Sequence, residues 1–131
     1  IQDRIHALQN SGADLAIASR FYDSYKFTTF RLALSSIFSI IVKKILRLEQ
    51  RDITSGFRAY RKSVLEKLTP LSNDFDIVLE LLFLADQNHV KIVEIPYSSS
   101  DRLFGRSKFR PFKFLLSYIE TIKKLRRIRK N

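Results

Sequence analysis

The sequence predicts an α/β fold, on three observations. Two short apolar stretches of strand length, 14–19 and 90–97, stand apart in the chain. Between them lie two apolar segments of helical length, 30–48 and 75–88, and an amphipathic pattern over 109–128 follows. Gly12, Pro70 and Pro96 fall at the boundaries, where chain-breaking residues belong.

Residues 1–11 read as the end of a helix, with Ile5 and Leu8 three apart and Ser11-Gly12 as its stop. Asp14 to Ser19 reads as a buried strand, with Arg20 at its carboxyl end. Ligands of open α/β sheets sit beyond that end, although an Arg there can equally snorkel to solvent. Residues 21–29 are polar and aromatic without a period and read as a loop. From Phe30 to Leu48 the chain is apolar almost all round, which fits either a buried helix or one lying on a membrane surface. Arg31 and Ser35 are four apart on that helix and share a face; a fork donor and a hydroxyl so placed can hold one phosphate.

The stretch Arg51-Asp52-Ile53-Thr54-Ser55-Gly56-Phe57-Arg58 reads as a polar bend. Gly56 is expected to take φ > 0 or to admit a close approach. Asp52 and Arg58 are expected to pair across the bend. A short helix, Ser63 to Leu68, follows and stops near Pro70. The helix 75–88 carries Glu80 inside an apolar run, where an acid caps or meets a cation. Asp74-Phe75-Asp76 spells D-x-D, but acids that open a helix cap its free N–H groups and suit its dipole, and the motif is set aside as a metal site. Val90 to Tyr97 is a second strand, with Pro96 marking an edge or an end. His6 and His89 are isolated, without the spacing of a metal pair, and no metal ligand is assigned in the chain.

In 109–128, Phe112, Leu115, Ile119, Ile122, Leu125 and Ile128 form one apolar stripe, with Lys and Arg on the other faces of the last turns. The net charge of +11 is uneven. Residues 102–131 hold eleven Lys and Arg against Glu120 alone, whereas the first 101 residues are near neutral. Such a block suits an anionic membrane or nucleic acid. Nucleic acid is the poorer fit, since no aromatic is interleaved among the cations after Tyr118 and no nucleic-acid motif occurs. There is no Cys, hence no disulfide framework or thiolate metal site. No signal-peptide pattern and no apolar run of about 18 residues is present. Ile1 is not expected to be the natural start.

Four segments in order carry a likeness: Ala18-Ser19-Arg20-Phe21; Asp52-Ile53-Thr54-Ser55-Gly56-Phe57-Arg58, with Glu80 on the helix beyond; Glu94-Ile95-Pro96; and Asp101-Arg102-Leu103-Phe104-Gly105-Arg106-Ser107-Lys108. Together they resemble the family 2 glycosyltransferases, in particular the dolichyl- and polyprenyl-phosphate mannosyl- and glucosyltransferases. The resemblance implies the carboxyl-terminal, acceptor-side half of a GT-A (Rossmann-like) domain over 1–108, followed by a basic membrane-interface helix and tail over 109–131. It implies transfer of a hexose, mannose or glucose, from a nucleotide sugar to a polyprenyl (dolichyl or undecaprenyl) phosphate, at the cytoplasmic face of a membrane.

The chemistry fits a cationic site. A phosphate monoester, with its second pKa about 6, is already an ionised nucleophile. The difficulty is to bring two anions together and stabilise a diphosphate leaving group. The resemblance assigns Arg20 to the diphosphate or the acceptor phosphate, and Arg31 and Ser35 to the acceptor phosphate. Arg102 and Lys108 would clamp the diphosphate, and Asp52 would be the catalytic-site acid lining the sugar pocket.

It further implies a divalent metal, Mg or Mn, whose ligands lie in an amino-terminal half absent from this sequence, so the chain alone is expected to be inactive. A transmembrane segment or a membrane partner subunit outside the chain is also implied. Arg106 where many relatives have Glu, Phe21 for the commoner Tyr, and a 21–29 loop without glycine depart from the pattern and leave sugar and acceptor open. The alternative is a non-catalytic basic module that binds anionic membrane or nucleic acid.

Overall fold

The computed structural model describes residues 2–19, 30–73, 76–96 and 111–130. Its elements in order are α1 (Gln2–Ser11), β1 (Leu15–Ser19), α2 (Phe30–Leu46), β2 (Arg58–Tyr60), α3 (Lys62–Leu65), α4 (Ile77–Gln87), β3 (Ile92–Pro96) and α5 (Pro111–Lys130). The architecture is α/β, as predicted.

β1 is the central strand of a mixed sheet ordered β2-β1-β3. It runs antiparallel to β2 and parallel to β3, with Ile17 level with Arg58 on one side and Glu94 on the other. All five β1 residues are buried, so both faces of the sheet are covered. Side chains alternate between the faces. Leu15, Ile17 and Ile92 join the main core with Val42 and Leu46 of α2, Leu79, Leu82 and Phe83 of α4, and Tyr118 and Leu125 of α5. Ala16, Val93 and Ile95 face the other way, onto Leu8 and Ala13 at the end of α1.

Three helices end in a left-handed residue. Gly12 (φ 62) stops α1 where the sequence placed a stop, but Arg47 (φ 52) and His89 (φ 54) do the same work without being glycine. The closing bonds are Leu48 N–H to the Lys43 carbonyl and Val90 N–H to the Ala85 carbonyl, both 3.0 Å. Arg61 ties α1 to β2: its side chain donates to the Ala13 and Leu8 carbonyls and lies 3.3 Å from the Asp14 carboxylate.

Several expectations change. Residues 58–60 form β2, a strand too short to show a period. Its place comes from β1, reinforced by Ala18 N–H donating to the Phe57 carbonyl. Gly56 has neither a positive φ nor anything within 4 Å of the position a Cβ would take. Asp76 stands at the N-cap of α4 but makes no side-chain capping bond. Its carboxylate instead accepts from Thr121 Oγ1 on α5 at 2.5 Å. On α5 the inward face is Tyr118, Thr121, Ile122 and Leu125, while Ile119 and Ile128 of the expected stripe are exposed. Tyr118 meets Phe38 of α2 edge-on at 5.4 Å between ring centroids, which selects that face.

Candidate functional site

The site is built over the middle of the sheet, where β1 and β3 run parallel and Ile17 is level with Glu94. Because side chains alternate, Arg58, Ile17 and Glu94 form one row across the three strands, on the face that carries the main core. The charged residues at the two ends of this row are half-buried, and polar partners stabilise a charge drawn partly out of water. The bend between α2 and β2 supplies them. Glu94 Oε1 accepts from Arg51 N–H at 2.8 Å and Asp52 N–H at 3.0 Å, and Oε2 accepts from Arg51 N–H at 3.0 Å. At the other end the Arg58 guanidinium donates to the Ile53 carbonyl at 2.8 Å and to the Val78 carbonyl. The sequence paired Arg58 with Asp52; the hydrogen bonds of its guanidinium run to these two carbonyls.

Asp52 and Ile53 are fully enclosed, and Ser55 nearly so. Thr54 Oγ1 donates to Asp52 Oδ1 at 3.3 Å, and Phe57 N–H donates to Ser55 Oγ at 3.3 Å, so the bend is also braced from within. Nearby, at the tip of β1, Ser19 Oγ is buried and has no hydrogen-bond partner.

Of the residues assigned from sequence, Asp52 is thus placed in the bend, with its N–H held by Glu94 from the middle of β3. Arg31 and Ser35 lie one turn apart in α2, with their side chains outside the described residues. Arg20, Arg102 and Lys108 lie outside the described residues altogether. Glu94 was read only as part of a motif and its contacts were missed. The signal was there: in Ile92-Val93-Glu94-Ile95 the acid alternates with Ile92 on the core face, where an apolar residue would otherwise stand.

Glu80 makes the same kind of fork. It is buried in α4, and its two oxygens accept from Leu71 N–H at 2.8 Å and Ser72 N–H at 2.9 Å. That is capping of the preceding turn, one of the two roles its position suggested. Asp76 faces Thr121. Burial pushes its carboxyl up, but hydrogen bonds from Thr121, Ser72, its own backbone and Ser117 outweigh that and hold it below the ordinary value of 3.8. Burial pushes the Tyr118 phenol up to about 12, against the pull of the Arg58 guanidinium and with the help of the Asp76 carboxylate.

The described residues do not fit a divalent metal: no group of three or more His, Cys, Asp or Glu is gathered among them, and Asp76 is engaged with Thr121. Among the described residues, no helix is long and apolar enough to cross a membrane. α2 nevertheless exposes Ile37, Ile40, Ile41 and Ile45, one stripe at helical spacing, and α5 exposes Lys123, Lys124, Arg126 and Arg127.

No family model matches the chain. Over 105 residues, 76% of this chain and 40% of the relative, it is 34% identical to the polyprenol monophosphomannose synthase of Mycolicibacterium smegmatis. Over 128 residues, 92% of this chain and 35% of the relative, it is 35% identical to the dolichol-phosphate mannosyltransferase of Pyrococcus furiosus. The resemblance drawn from the four motifs therefore stands. The chain spans well under half the length of these curated relatives. Its mixed sheet with flanking helices is consistent with part of a Rossmann-like GT-A domain.

Proposed function

We propose that the protein to which this chain belongs is a polyprenyl-phosphate mannosyltransferase that works at a membrane surface. The observation that carries this reading is the similarity over nearly the whole chain to a dolichol-phosphate mannosyltransferase. The reaction joins an oxygen of the lipid phosphate to the anomeric carbon of the sugar, as the bond from that carbon to the nucleoside diphosphate breaks. The acceptor is already an anion, so proton removal contributes little. The work falls to cations that draw the two anions together and hold the departing diphosphate.

In this reading Arg31 and Ser35 hold the acceptor phosphate, Arg20 reaches the diphosphate or the acceptor, and Arg102 and Lys108 close over the diphosphate. Asp52 forms the floor of the sugar pocket, where exclusion of water strengthens the effect of its charge. The divalent ion, Mg or Mn, is held by residues outside this chain. The outward isoleucines of α2 and the cations of α5 support docking on an anionic lipid surface, at the cytoplasmic face. A membrane anchor or partner subunit outside this chain completes the attachment.

The test uses the complete protein, vesicles containing polyprenyl phosphate, and nucleotide-activated mannose with nucleotide-activated glucose as competitor. Labelled mannose should appear in an organic-extractable phospholipid product. A protein that yields none, yet binds oligonucleotides with an affinity that falls steeply with salt, is the basic module instead. Within the active enzyme, Arg102→Ala or Lys108→Ala should each cut turnover by about a hundredfold without lowering the melting temperature. Unchanged turnover would remove the clamp from the mechanism.

A further inference from the structure

We propose that Glu94 is a positioning residue for the sugar pocket: with Arg58 it clamps residues 51–53 across the middle of the sheet, level with Ile17, and so fixes where Asp52 stands. The inference rests on the reading of Asp52 as a pocket residue. The clamp itself follows from register. Arg58, Ile17 and Glu94 are level on β2, β1 and β3. With strands about 4.8 Å apart, the two charged residues stand about 10 Å apart on either side of the central strand. Arg51 and Asp52 present their N–H groups to Glu94, and Ile53 presents its carbonyl to Arg58. The bend is thereby held at both ends, donor side to the anion and acceptor side to the cation, above Ile17.

The chemistry of the position argues for more than stability. Glu94 is half-buried on the core face of β3, a place where an apolar residue would pack as well, so the core does not demand a carboxylate there. The carboxylate is instead committed to two successive backbone amides, and the side chain that those amides orient is a fully enclosed acid. Glu80 supplies the contrast. It forks the amides of Leu71 and Ser72, in a turn where Leu71 is 77% exposed. The same device serves a turn in one place and a site residue in the other.

The test has two arms, both in the complete protein. Glu94→Gln keeps the shape of the side chain and one acceptor oxygen, and turns the other acceptor into a donor that faces an N–H. Hydrogen exchange at the Arg51 and Asp52 amides should quicken about tenfold or more, with β1 unchanged. Turnover should fall about ten- to a hundredfold at a nearly constant KM for the lipid phosphate. In an Asp52→Asn background the same substitution should cost less than about threefold, because a residue that acts through Asp52 has nothing left to position. Glu80→Gln, the structural control, should be additive with Asp52→Asn.

Unchanged exchange at 51 and 52 would overturn the clamp whether or not the protein turns over. Additive losses for Glu94→Gln and Asp52→Asn would overturn positioning. A wild type that transfers no sugar while the exchange arm behaves as expected would instead sink the mannosyltransferase reading, and with it the part of the inference that concerns Asp52. Should Glu94→Gln melt early, Glu94→Asp, which keeps the charge but draws it back by one methylene, is read in the same two assays, with exchange scaled to Ala16.

Discussion

Helices α2 and α4 are both strongly apolar in sequence, yet the fold treats them in opposite ways. α4 is enclosed: Leu79, Glu80, Leu82, Phe83 and Ala85 are all buried, and the one acid among them is satisfied by two backbone amides. α2 sends Val42 and Leu46 into the core but leaves Ile37, Ile40, Ile41 and Ile45 between 38% and 58% exposed. The contrast teaches that an apolar helix declares only a preference for leaving water. What it leaves water for is decided by its neighbours. α4 finds the sheet and α5, whereas α2 finds them on one side and offers the other to whatever lies outside. Under the proposed function, on a chain with a net charge of +11, an anionic lipid surface would cover the isoleucines and attract the cations.

Three measurements would break or sharpen this contrast. The largest effect should come from Phe83→Ala in α4, which leaves a cavity at the centre of the main core and should cost about 3–5 kcal/mol of stability, read from denaturant unfolding. A cost under about 1 kcal/mol would mean that α4 is not the enclosed partner. Next, the triple replacement Ile37→Ser, Ile40→Ser and Ile41→Ser should cost less stability than Phe83→Ala, since each of these side chains is more than half exposed in the fold. Co-sedimentation with anionic vesicles should drop on the order of a hundredfold, from about 1 kcal/mol lost per half-buried side chain. Vesicle binding that survives the replacement would assign the surface to the cations of α5 alone.

The third concerns the seam between α4 and α5. Thr121→Val removes the hydroxyl that donates to Asp76 and should cost about 1–3 kcal/mol at neutral pH. The pH dependence has a definite sign. Asp76 is held below 3.8 in the folded protein, so the unfolded chain binds its proton first and stability rises with pH through that window. The contribution is therefore complete above about pH 4 and fades as the pH falls through the folded value. The gap between wild type and Thr121→Val in urea midpoints should be full at pH 7 and shrink towards pH 3. A gap that is constant with pH would show that the hydroxyl acts through packing alone.

Much of the fold was legible. β1 and β3 were visible as short apolar stretches, α2 and α4 as long ones, and Gly12 as a stop, because each depends on a few neighbouring residues. The candidate site was legible only in part. Asp52 could be named from its motif, but nothing local said that Glu94, 42 residues away, would bond its amide. β2 was missed because three residues have no period of their own and become a strand only beside β1. The stripe on α5 was drawn through Ile119 and Ile128, but packing turned the helix so that Tyr118 and Thr121 face inward, towards Phe38 and Asp76. Two nearly equivalent stripes on one helix cannot be told apart before their partners are in place.

The sequence by itself determined the kinds of element, their order, the cationic carboxyl-terminal segment and the kinship, because periodicity, charge and motif are written along the chain. Only the tertiary structure decided that Glu94 and Arg58 grip the bend that holds Asp52, that Asp76 serves Thr121 rather than its own helix, and that α2 keeps a bare row of isoleucines. Each of these is a relation between residues far apart in sequence, and a hydrogen-bonding group or an apolar face takes its meaning from the partner that folding brings to it.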